Sequence, residues 1–242
     1  MNLAVQSSIM DHSVVEKGGK LITSDLAGAA THYLESRYDS GAVALFLIGA
    51  AGDQEPYLKA NRHVVDKDGS SSQVDIHEAG FTLVDLLGER LGEDALRVGE
   101  ATKATEATLR LQVLRQSVEV PSLNSSRTMP SGPVTSYAYE PGPKIEVPVV
   151  VLRIGDIALV GLQPELAASV GNQIKTSSPF PHTIVVTMVD GGAKYMPDAA
   201  SYDRFTYEAR NTRYAQGAAE MTASQIIGLL KQMHDRGVPK AP

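Results

Sequence analysis

Two apolar runs, Ile145–Ile154 and Ile157–Leu162, are separated by Gly155-Asp156 alone. A two-residue link of that kind closes an antiparallel hairpin, so the second half of the chain is committed to a sheet. Thr108–Val120 alternates at Leu109, Leu111 and Val113 and reads as a further strand, and Thr183–Val189 as another. Between these lie helical patterns. Glu165–Lys175 follows Pro164, and Ala218–Met233 repeats Ala219, Ala223, Ile226, Leu230 and Met233 at helical spacing. The first half repeats the mixture. Thr23 or Ser24 can cap a helix running to about Tyr38. Ala42–Ile48 reads as a buried strand. Asp75 with Glu78 opens a helix carrying Ile76, Ala79, Leu83, Leu87 and Leu91. The expected class is therefore α/β, or mixed α+β: a mixed sheet flanked by helices, with a hairpin region. Asp66-Lys67-Asp68-Gly69 reads as a surface turn; its Gly comes too early for a calcium loop. Residues 121–144 hold five prolines and form a long Pro/Ser/Gly-rich loop, a flap or a packed excursion. The tail, 238–242, is expected to fray.

Composition narrows the function classes. Hydrophobic residues make up 43% and charged residues 21%, as in an ordinary globular chain. The net charge is -6 with no dense Lys/Arg cluster, which argues against nucleic acid. There is no cysteine, so disulfides, thiolate metal sites and a Cys nucleophile are excluded. No run is long enough to span a membrane, and the N-terminus lacks the build of a signal peptide. A cytoplasmic protein is the expectation. Because NLAVQSS already reads as a strand, a chain truncated at its N-terminus is expected too.

Three strand ends carry the candidate chemistry. Ala42–Ile48 runs into Gly49-Ala50-Ala51-Gly52, then Asp53-Gln54-Glu55-Pro56. Small residues there admit a close neighbour, either a ligand or another loop. The second end is Gln163-Pro164-Glu165, and the third is Asp190-Gly191-Gly192-Ala193-Lys194-Tyr195. If the strands are neighbours, these ends converge on one cleft, where a carboxylate and a phenol could hold a metal or act as acid and base. Equally, Glu165 could be a helix N-terminal acid, and Tyr195, Tyr202 and Tyr207 packing residues. The six histidines stand singly, with no H-x-H or H-E-x-x-H pattern, and neither a G-x-S-x-G elbow nor a P-loop occurs.

Five segments in order resemble those of the neutral/alkaline, non-lysosomal ceramidases. ALFLIGAAGDQEP resembles their G-x-x-GD-x-S-P corner, and LVGLQPELAASVGNQIK their Pro-Gly-Glu segment before a helix. MVDGGAKYMPDAASYDRFTYEARNTRYAQGAAE is similar to their Asn-Gly-x-x-x-Tyr region with a later Tyr-Glu pair. NLAVQSS resembles N-F-A-x-H-A-T, and LITSDLAGAA resembles S-A-D-F-P-G. The matches span about residues 2–232. The resemblance implies a zinc hydrolase acting on the amide of a small-molecule or lipid-like N-acyl substrate. It implies metal ligands at Glu165 and Tyr195. Chemistry is implied near Asp53, Glu55 and Tyr207, and substrate contacts near Gly52, Gly191, Gly192 and Tyr202. Two positions depart from the family pattern: Gln6 stands where the family has a His ligand, and Glu55 where it has Ser. A further family His lies in an upstream half. On this reading residues 1–242 form one catalytic-domain portion without that half and without the family's immunoglobulin-like domain. Three outcomes follow from it: a hydrolase using metal-bound water, a binding module for a small molecule or carbohydrate on the same scaffold, or a fragment without independent function. A chain with such open faces is also expected to form homo-oligomers.

Overall fold

The computed structural model describes residues 1–38, 41–103, 108–124 and 135–236. The chain divides into two compact units, each with its own core. Residues 125–134 of the expected loop, and the expected frayed tail, lie outside the described residues.

The first unit takes in Val5–Phe46 and Glu55–Glu106. Helix α1 (Asp25–Ser36) packs on the long helix α2 (Gly80–Ala101). Gly88 and Gly92 make that approach close: a Cβ at Gly88 would lie 2.3 Å from the Ala29 Cβ, and one at Gly92 would meet Tyr33. Ile9, Leu26 and Val84 are the buried centre of this core. The turn expected at Asp66–Gly69 joins β3 (Asn61–Val65) to β4 (Ser71–Asp75) in an antiparallel hairpin. The capping box does not form as the sequence implies. Asp75 ends β4, and its carboxylate accepts from the Ser13 hydroxyl and from the Val14 and His77 N–H groups. Glu78 reaches the Glu16 N–H instead of a helix end, and a 3-10 turn (His77–Ala79) leads into α2. His77 Nδ1 lies 2.8 Å from the Val14 carbonyl, a contact that, with Asp75 and Glu78 nearby, raises the imidazole pKa above its ordinary value.

The second unit is the larger and carries a four-stranded mixed sheet in the order β5-β6-β7-β9. Its strands are β5 (Leu111–Val120), β6 (Ile145–Ile154), β7 (Ile157–Leu162) and β9 (His182–Val186). The hairpin at Gly155-Asp156 forms as expected, with Ile154 opposite Ile157 and Gly155 at φ +59°. β7 and β9 run parallel, joined by a crossover through α3 (Ala168–Thr176). One face of the sheet is buried by α3 and by α6 (Ala218–Asp235), where Val147, Val151 and Val160 meet Ile174, Ile226 and Leu230. Each such side chain contributes about 1.5–3 kcal/mol on burial, an upper range since unfolded chains are already partly collapsed.

Two sequence expectations need correction. The strand at Ala42–Ile48 shrinks to β2 (Leu47–Ile48), paired with β1 (Asn2–Leu3), and Val43 and Leu45 are exposed rather than buried. An apolar run alone does not supply a partner for its ladder. The helix expected from Glu165 begins at Ala168, because Glu165-Leu166 is strand β8, paired in parallel with β10 (Tyr195–Met196). The stretch 193–216, which carries no periodic pattern in the sequence, contains β10, α4 (Ala199–Asp203) and α5 (Tyr207–Arg210). The described part of the 121–144 loop is a packed excursion: Ser122 and Leu123 bridge to Tyr214 and Pro141.

Candidate functional site

The three strand ends singled out in the sequence meet in the second unit. Glu165 on β8 and Tyr195 on β10 are Cα partners in register. In-register partners on adjacent parallel strands point to one face, about 4.8 Å apart, so the carboxylate and the phenol leave the sheet side by side. Neither is a helix-end or core residue: Glu165 is half-buried, and burial raises its carboxyl pKa above the ordinary 4.5. Partial burial at that edge makes the carboxyl hold its proton more tightly than a free glutamate does. Tyr207, the first residue of α5, is 58% exposed, and its ring lies edge-on to Tyr195 at 5.7 Å.

The small-residue corner Gly49–Gly52 is the wall behind this pair. The Gly52 N–H donates to the Leu166 carbonyl, and a Cβ at Gly52 would fall 2.4 Å from the Glu165 carbonyl oxygen. On α3, a Cβ at Gly171 would fall 2.3 Å from the Ala50 Cβ. These small residues therefore admit neighbouring chain rather than open space. Asp53 follows at once, and its Oδ1 accepts from the Ala168 N–H at 2.8 Å. The N-cap position of α3 is Ala167, which has no capping side chain. A residue 115 positions away supplies the missing acceptor.

On the other side, Gln163 donates to the Asp190 carbonyl. Met188, Asp190, Gly191 and Lys194 all have positive φ, between +58° and +120°. Four left-handed residues in seven are rare outside glycine, and such strain collects where a surrounding structure over-determines a loop. It ends on Tyr195. A Cβ at Gly192 would meet nothing, so this loop has open space beside it.

Tyr202 is buried, donates its hydroxyl to the Tyr214 carbonyl at 2.8 Å and packs edge-on to Tyr139. Glu55 belongs to the first unit, where it is exposed and bonded to Lys59 at 2.8 Å. Gln6 is in the first unit as well, lining a cavity of about 710 Å³ with Ser8, His12 and Asp25. Sequence reasoning missed Asp198. Its carboxylate caps α4 through the Ser201 N–H and hydroxyl and accepts from the Ser169 hydroxyl on α3. Burial pushes its pKa up, but these bonds and Arg204 outweigh it and leave it lowered. The spacing Asp198–Ser201 was a readable cap signal.

Among the described residues no three His, Asp or Glu side chains come together to hold a metal ion. Glu165 and Tyr195 offer one carboxylate and one phenol, whereas zinc in catalytic sites takes three protein ligands. The donor set therefore does not make a zinc site on its own. No helix among the described residues is long and apolar enough to cross a membrane.

No protein-family model matches the chain, and no curated protein matches it. Solved structures do share its fold. The neutral ceramidase from Pseudomonas aeruginosa aligns over 92% of this chain with a TM-score of 0.65 at 17% identity, and a ceramidase complexed with C2 aligns over 92% with a TM-score of 0.67 at 14% identity. The alignments cover 42% and 44% of those two chains, so this chain spans less than half the length of either. The fold of this chain is ceramidase-like.

Proposed function

We propose that the second unit carries a ceramidase-like hydrolytic site for the amide, or a related acyl bond, of a small-molecule or lipid-like substrate. The observation that supports it most is the register of Glu165 beside Tyr195, on a fold shared with ceramidases. Glu165 takes a proton from water as the water oxygen attacks the acyl carbon. Tyr195 donates a hydrogen bond to the oxyanion that forms. Collapse breaks the C–N bond, and Glu165 returns the proton to the leaving nitrogen. Tyr207 and the open backbone at Gly191-Gly192 flank the substrate. Asp53 is a positioning residue: it fixes the N-terminus of α3, next to β8. Zinc-bound water is the route the resemblance implies. The described donors fall short of it, and no step is assigned to a metal. Glu55, where the family has Ser, is bonded to Lys59 and is left without a chemical role.

The short donor set, with Gln6 at a family His position, favours a second reading: the site binds a polar amide without turning it over. One assay separates the two. A short-acyl N-acyl amino alcohol is incubated with the wild-type chain, Glu165→Gln and Tyr195→Phe, with and without added zinc, and free amine is measured. The hydrolytic reading expects product from the wild type and a loss of roughly 10²-fold or more in Glu165→Gln. A thermal-shift response to the amide with no product from any form supports binding alone. Equal product from wild type and Glu165→Gln removes Glu165 from the chemistry.

A further inference from the structure

Residues 11–24 leave the core of the first unit and return to it at a closed base. The buried Asp25 carboxylate accepts from the Ile9 and Met10 N–H groups at 2.9 and 2.7 Å, which fastens the two ends of the segment together. Between those ends the chain is an Ω-loop. Among the described residues, the backbone-to-backbone bonds of residues 11–23 reach no farther than four positions along the chain. Every residue from Glu16 to Ser24 is exposed, Leu21 and Ile22 included, so apolar burial does little to hold the loop. Asp11–Val15 and Lys20–Thr23 line the cavity of about 710 Å³, together with Gln6, Ser8 and Phe81. What holds the loop against the unit is a clasp of side chains on residues 12–16. Asp75 accepts from the Ser13 hydroxyl at 2.7 Å and from the Val14 N–H at 3.1 Å. Both oxygens of Glu78 lie 3.1 Å from the Glu16 nitrogen, and Asn61 donates to the His12 carbonyl at 2.8 Å. His77 closes the clasp with Nδ1 at 2.8 Å from the Val14 carbonyl. A carbonyl only accepts, so the proton of this bond sits on Nδ1.

We infer that residues 11–24 are a pH-set lid on this cavity, fastened while His77 is protonated and released when it is not. The charges that face His77 are all acidic: Asp75 from β4, whose Oδ2 is 3.5 Å from Nδ1, Glu78 from its own turn, and Glu16 from the loop. Lys20, His12, Asp11 and Asp25 line the same cavity. Carboxylates ionise well below neutral pH, so His77 is the member of the clasp whose charge changes near it. The protonated ring donates from Nδ1 and is drawn to the three acids. The neutral ring loses that attraction, and its Nε2–H tautomer turns a lone pair toward the Val14 oxygen. The sign follows from the raised pKa of the folded imidazole. Its contribution is complete below the ordinary histidine value and is lost as pH rises through the folded one. Because Asp25 keeps the base closed, opening the lid costs the clasp and leaves the α1–α2 core in place.

Amide hydrogen exchange on the full chain from about pH 5.5 to pH 8.5, corrected for the intrinsic pH dependence of exchange, tests this. Protection of residues 13–16 in the wild type is expected to fall roughly fivefold or more across that range, relative to α2. His77→Gln keeps an N–H donor for the Val14 carbonyl without a titrating group, and is expected to flatten the profile. His12→Gln, on the loop itself and with an exposed ring, is expected to keep the wild-type profile. A corrected wild-type profile that stays flat overturns the inference, as does a folded His77→Gln that keeps the pH dependence. The wild-type profile decides without any variant, so a His77→Gln that does not fold leaves the first test standing. None of these readouts depends on turnover at Glu165.

Discussion

At the scale of single residues, Glu165 decides most. Its folded carboxyl pKa lies above the ordinary value because burial disfavours the charged form. The sign follows from linkage. The folded state holds this proton more tightly than the unfolded state, so the contribution to stability is intact below the unfolded pKa and is lost as pH rises through the folded one. Glu165→Gln carries no charge to bury. Its melting temperature is expected to gain on the wild type as pH rises from about 4, where an ordinary glutamate ionises; parallel melting curves would refute the assignment. The sequence marked Glu165 and Tyr195 separately but left open whether they met. Two residues thirty positions apart become neighbours only through the pairing of two-residue strands, and a pair that short has no periodicity to read. Asp53 was visible as an acid after a glycine corner. Its capping of a helix more than a hundred residues on was not, since no local pattern encodes a distant acceptor.

At the scale of elements, the Gly49–Gly52 corner holds β8 in place. A methyl group at Gly52 points at a backbone oxygen, which cannot rotate away as a side chain would. Gly52→Ala is expected to destabilise the second unit by about 2–3 kcal/mol, as overpacking against fixed backbone does, and urea unfolding measures it. Gly192→Ala, where a Cβ meets nothing, is the matched control and is expected to stay close to wild type. The hairpin at Gly155 and helix α6 were legible because each obeys one local rule, a two-residue turn or a 3.6-residue period. The run at Ala42–Ile48 misled because length and apolarity promise burial only when a partner strand is present, and Val43 and Leu45 have none among the described elements. The α4–α5 stretch stayed hidden because helices of four and five residues are set by their caps, Asp198 and Thr206, rather than by a stripe.

At the scale of the whole molecule, the two cores are unequal. The second unit's core gathers buried residues from the sheet, α3 and α6, while the first has Ile9, Leu26 and Val84 at its centre. Less buried apolar surface means less stabilisation, so two-state behaviour is not expected. Calorimetry should resolve two heat absorptions, and amide exchange should release α1 and α2 before β6; a single transition with uniform exchange would contradict this. The bond from Asp53 to Ala168 bears on how the molecule comes to exist at all. Together with the Gly52–Leu166 bond it ties residues 52 and 53 to residues made more than a hundred positions later. Helices α1 and α2 can form on the growing chain from their own neighbours. The edge that carries Glu165 cannot, because its backing wall is made early and must wait for its partner strand. Contacts of such long sequence separation close late and slowly, so a half-made chain is already folded in part but has no site.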